Sequence, residues 1–89
     1  MTQHTYQSKT QYVEAIQWTG DNYEDLYNIF GADIQIDGDG LHLLAGKNKV
    51  QGWVDVPEGH YLVHPPSDLT DIWPVEEEYF TTKYEQLGD

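Results

Sequence analysis

Residues 12–30 read YVEAIQWTGDNYEDLYNIF, and the change of period inside this stretch decides the fold. Up to Trp18 the chain alternates, with Tyr12, Glu14, Ile16 and Trp18 on one side and Val13, Ala15 and Gln17 on the other, as in a strand. Glu14 interrupts the apolar side, so both faces of this strand are expected to be partly covered. Gly20 permits a turn. From there the period lengthens: Tyr23, Leu26, Tyr27 and Phe30 fall at i, i+3, i+4 and i+7, an apolar helical stripe that Ile29 widens. Asp21-x-x-Glu24 has the form of a capping box, Glu24 and Asp25 suit the positive end of the helix dipole, and Gly31 supplies a stop. A helix of about nine residues does not persist alone, so it must pack on a sheet containing the strand before it.

Downstream the period stays near two. Ile34–Ile36 and Leu41–Leu44 flank Asp37-Gly38-Asp39-Gly40, where two glycines are expected to supply positive φ for a hairpin turn. Ala45–Lys49 is a second turn, Val50–Val56 a third strand of the meander, Pro57-Glu58-Gly59 another turn and His60–His64 a fourth strand. Asp71-Ile72-Trp73 is a short extended segment, and Pro74 suits the first turn of a closing helix with Val75, Tyr79, Phe80 and Tyr84 on its apolar side. Lys83–Leu87 could instead leave as a final strand. Residues 1–10 read as a flexible or edge-pairing tail, and residues 11–89 as one domain. The expected fold is α+β: a small curved antiparallel sheet of four to five strands packed on one short helix, with a second short helix near the C-terminus.

Composition narrows the chemistry. Sixteen Asp and Glu face four Lys and no Arg, for a formal charge of −12. Such a field repels phosphates and anionic membranes and attracts basic protein surfaces, so direct nucleic-acid binding is disfavoured. The absence of Cys removes disulfides, thiolate metal sites and Cys nucleophiles. No apolar run reaches the roughly 18 residues of a membrane span, and the polar N-terminus lacks the apolar segment of a secretory signal; a soluble protein of the cytosol is expected.

No catalytic or cofactor motif stands out. GKNK at 46–49 lacks phosphate-loop spacing. Asp37 and Asp39 could begin a calcium loop, but Asn48 stands where its bidentate twelfth ligand belongs. His60 and His64 would lie roughly 13 Å apart along a strand, too far to share a metal without His42 or a carboxylate; hairpin or surface histidines are the expectation. Ser8 and Ser67 sit in no nucleophile elbow. The reading is therefore of a non-enzymatic protein with no catalytic residue, metal or cofactor. What remains is acid with aromatic: Trp53 on a strand face with Gln51 and Asp55, and Trp73 between Asp71 and Glu76-Glu77-Glu78. Carboxylates that steer and aromatics that anchor suit a protein interface, and these seven residues (Trp53, Asp55, Asp71, Trp73, Glu76, Glu77, Glu78) form the expected binding set.

Glu14-Ala15-Ile16-Gln17-Trp18-Thr19-Gly20, Pro57-Glu58-Gly59-His60-Tyr61-Leu62-Val63, Trp73-Pro74 and Lys83-Tyr84-Glu85 together resemble a family of small phage and prophage proteins. That family carries an EA-x-Q-W-x-G strand signature, a later Pro-x-Gly strand with Asp where His60 stands, and a Tyr-Glu ending. It also has a glycine hairpin where this chain has residues 64–74. The resemblance implies origin and fold rather than an activity: a phage accessory protein in the cytoplasm of a bacterial host. The expected partner is a host or phage protein with a basic surface, with inhibition of a host or defence factor as one outcome. A sponge for small cationic or aromatic ligands, built as a homo-oligomer, and a minor virion component are the alternatives.

Overall fold

A computed structural model describes residues 4–7, 12–66 and 68–86. The α+β class expected from the sequence is what forms. The elements are β1 (His4–Gln7), β2 (Tyr12–Gln17), α1 (Tyr23–Phe30), β3 (Ile34–Asp37), β4 (Gly40–Lys47), β5 (Gly52–Val56), β6 (Tyr61–His64), β7 (Asp71–Val75), α2 (Glu77–Lys83) and β8 (Glu85–Gln86), with a short 3-10 turn over Gly31–Asp33. All strand pairs are antiparallel. They run in the order β3-β4-β7-β6-β2-β1-β8, with β5 on the other side of β4. Among the described residues the strands number eight rather than four or five, because His4–Gln7 and Glu85–Gln86 add an edge to β2 and residues 71–75 are extended.

The sheet divides at β4. Its first half lies between β3 and β5, while Gly46 and Lys47 pair with Ile72 and Asp71 of β7. The buried apolar residues form two cores. In the larger, α1 sets Leu26 and Phe30 against Ile16, Trp18, Leu41, Leu43, Leu62 and Ile72. In the smaller, Val13, Ala15, Val63 and Val75 on the opposite face of β2, β6 and β7 are covered by Phe80 of α2. Strand β2 is thus buried on both faces, as the interruption at Glu14 foretold: Ile16 serves one core, Val13 and Ala15 the other.

Several local expectations are corrected. Pro74 does not open the last helix; it lies in β7 opposite Leu62, and α2 begins at Glu77. Beyond Ile72 only β6 pairs with β7 among the described residues, so the missing N–H falls where no second ladder needs it. Tyr79 is exposed, not part of that helix's apolar side. In the Asp37–Gly40 hairpin only Gly40 has positive φ, because Asp37 Oδ1 closes the turn by accepting the Asp39 N–H at 2.8 Å. Strand β4 runs on to Lys47, and Val50 lies in the following turn, where it is 81% exposed. There Asn48 and Lys49 take positive φ, held by Asn48 N–H to Thr70 O at 2.8 Å and by Lys49 Nζ, which meets Asp33 at 2.7 Å and Leu69 O at 3.1 Å. His64 is buried rather than superficial: Nδ1–H donates to Pro65 O at 2.7 Å, and the ring meets Phe30 edge-on.

The joint between β2 and α1 also differs from the expected capping box. Asn22, not Asp21, is the N-cap residue, and no side-chain cap bond is made. The Asn22 amide closes the turn instead, donating to Gln17 O at 2.8 Å and accepting the Thr19 N–H at 2.9 Å, while Asp21 accepts the Thr19 hydroxyl. Gln17 has a structural role as well: its Nε2 donates to Gly59 O at 2.9 Å and to Glu77 Oε2 at 3.0 Å, tying β2 to the 57–59 turn and the start of α2.

Candidate functional site

Alternation along β3, β4 and β5 sends Ile34, Leu41, Leu43, Ala45 and Val56 into the larger core. The residues between them face outward. In register across the three strands stand Gln35, His42 and Asp55, and one pair further along stand Leu44 and Trp53. Trp53 is 50% exposed, whereas Trp18 is buried and Trp73 half-buried, so Trp53 is the tryptophan that the fold offers to solvent.

His42 organises the polar half of this face. Its Nδ1 lies 2.8 Å from Asp55 Oδ1, and its Nε2 lies 3.0 Å from Asp37 Oδ1. A carboxylate can only accept, and a neutral imidazole has a single N–H; two such contacts together require the imidazolium. The hydrogen bond donated to Asp37, with help from that to Asp55, accordingly raises the His42 pKa above its ordinary 6.5. The backbone N–H of Asp39, followed by His42, holds the Asp37 carboxyl below its ordinary 3.8. The arrangement is a chain, Asp37–His42–Asp55, with one carboxylate at each ring nitrogen, so the three groups do not converge on a point. Among the described residues no group of three or more His, Asp or Glu side chains is arranged to hold a metal ion.

Beside this face, a cleft of about 460 Å³ opens between the tip of the β3–β4 hairpin and the 57–59 turn. Trp18, Ile36 and Leu41 line it together with Asp39, Asp55 and Glu58. A second hollow, of about 320 Å³, runs along α1 between Tyr23 and Tyr27. No helix among the described residues is long and apolar enough to cross a membrane.

The seven residues singled out from the sequence fall into two groups. Trp53 and Asp55 share the outer face of β5, two residues apart. Asp71 and Trp73 lie on β7, with Trp73 packed against the smaller core, and Glu76, Glu77 and Glu78 open α2, with Glu77 engaged by Gln17. Strand β4 separates the groups, pairing with β5 along one stretch and with β7 along another. The sequence reading missed Asp37 and His42. In the sequence Asp37 reads as a turn residue or the start of a calcium loop, and His42 as a surface or hairpin histidine or a bridging metal ligand. The one signal that could have found them is register: with the turn over Lys47–Gln51 placed correctly, His42 falls opposite Asp55.

The chain matches no family model, no curated protein and no solved structure.

Proposed function

We propose that this chain is a small non-enzymatic binding protein that engages a protein with a basic surface through the outer face of β4 and β5. The observation that carries the reading is Trp53, a large aromatic side chain left half in solvent beside the carboxylate of Asp55, whose side chain is 84% exposed. Exposed tryptophan is costly to leave uncovered and is enriched at the centres of interfaces. The −12 charge supplies long-range attraction that favours encounter with a basic partner and rejects phosphate-bearing ones. The Glu14–Gly20 signature supports a phage accessory role in a bacterial host cytoplasm, where such a protein would occupy the basic surface of a host or defence factor.

The test is capture from bacterial lysate at low salt, identification of what elutes at high salt, and repetition with purified partner. Trp53→Ala is expected to weaken binding by about tenfold or more, the scale of an interface anchor. Asp55→Asn is expected to weaken it less and to flatten its salt dependence, as rim charges do. A purified partner that binds parent and Trp53→Ala equally would remove Trp53 from the interface and with it this reading.

The cleft of about 460 Å³ favours a second reading, sequestration of a small organic cation between its apolar residues and Asp39, Asp55 and Glu58. A thermal-shift series with short polyamines separates the two: stabilisation that Trp53→Ala leaves intact and Glu58→Gln removes belongs to the cleft.

A further inference from the structure

We infer that His42 is a proton-operated clasp: as the imidazolium it bridges Asp37 of β3 and Asp55 of β5 across β4, and on losing its proton it releases Asp55 and raises the negative charge offered to a cationic partner. The inference rests on the basic-partner reading for its consequence, and on the geometry of three side chains for its mechanism.

The two hydrogen bonds, at 2.8 and 3.0 Å, use both ring nitrogens. Deprotonation leaves one N–H, so one of the two contacts becomes a lone pair facing a carboxylate. Asp37 is the less free of the two acids, because its Oδ1 also accepts the Asp39 N–H in the hairpin turn. Among the described residues Asp55 has no comparable hold, and its side chain is 84% exposed against 46% for Asp37. Asp55 is therefore the group that swings out. The charged groups facing the ring are Asp37 from β3 and Asp55 from β5, with Asp39 next to Asp37 in the turn; Asp37, His42 and Asp55 together carry a net −1 with the ring protonated and −2 with it neutral. Asp55 also borders both Trp53 on its strand and the acidic cleft, so its release changes the proposed interface directly.

The pH window follows from the two shifts. The raised His42 pKa gives a stabilisation fully present below 6.5 and lost as pH rises through the folded-state value. The lowered Asp37 pKa gives one present above 3.8 and lost as pH falls through its folded-state value. The clasp is thus closed across mildly acidic pH and opens as pH rises through the raised His42 pKa, above 6.5.

The test has two arms on the full chain. Ring nitrogen-15 NMR at pH 6 is expected to show His42 with both nitrogens protonated, titrating above 6.5, with Asp37→Asn and Asp55→Asn each lowering the midpoint; a ring that is neutral at pH 6, or a midpoint at or below 6.5, overturns the clasp. The second arm measures the affinity of an oligolysine peptide from pH 6 to 9. The parent is expected to bind several-fold tighter as His42 deprotonates, and His42→Gln, which cannot titrate, is expected to show no such rise. A flat profile in the parent, or an equal rise in His42→Gln, overturns the gating while leaving the basic-partner reading intact. Failure to bind oligolysine at any pH removes both.

Discussion

Replacing Phe80 with alanine is expected to lower stability by about 3–5 kcal/mol, the range for removing a buried aromatic ring. Phe80 is 1% exposed and fills the smaller core alone from the helical side, against Val13, Ala15, Val63 and Val75. Its ring also stacks on Tyr61 at 4.0 Å and on Tyr84 at 4.7 Å, so the loss reaches three aromatic groups at once. Seven residues of α2 cannot stay helical without that anchor. For a domain of this size the total stability is on the order of 4–13 kcal/mol, and each kcal/mol lowers the melting temperature by about 4–8 °C. Phe80→Ala should therefore melt at least about 12 °C below the parent, with loss of near-ultraviolet dichroism from the ring stack. Tyr79→Ala, one residue away and exposed, should stay within about 0.5 kcal/mol of the parent. Equal effects from the two would mean that α2 does not dock as described.

What the sequence reveals here and what it hides have physical reasons. The change of period between Trp18 and Tyr23 is a property of the chain itself, and it announced both the strand and the helix stripe. The buried partners of that stripe, Leu26 and Phe30, were legible for the same reason. Pro74 was misplaced because proline suits a first helical turn and an edge strand alike, and only the pairing of β7 on one side decides between them. Trp53 and Trp73 look equivalent in sequence, each flanked by acids. The covering of one by the smaller core and the exposure of the other depend on where α2 folds back. His42 and Asp55 are thirteen residues apart, and their meeting depends on where the turn between β4 and β5 falls; beginning β5 at Val50 starts that strand two residues too early.

The joint that opened the sequence gives the second large effect. Asn22→Ala is expected to cost about 2–3 kcal/mol, because it leaves two backbone groups without their partners, and each orphan costs about 1–3 kcal/mol where water is restricted. Those groups are the Thr19 N–H and the Gln17 carbonyl, met at 2.9 and 2.8 Å by an amide that is itself only 7% exposed. No other side chain type supplies the same pair of bonds at that length: an acceptor for one strand-end group and a donor for the other. Asn22→Asp tests this directly. The carboxylate still accepts from Thr19, and its charge suits the start of α1, yet it sets a second acceptor against the Gln17 carbonyl. Its stability is expected to lie between parent and Asn22→Ala at neutral pH, and to gain on the parent as acidification gives the side chain an O–H to donate. Asp21→Ala is the control. Asp21 is exposed, and its bond to the Thr19 hydroxyl is at the surface, so removing it should cost within about 1 kcal/mol. Chemical denaturation of the three variants orders them. Asn22→Ala falling furthest places the joint on the amide; Asp21→Ala falling further than Asn22→Ala would return it to the capping box that the sequence spells and the structure does not use.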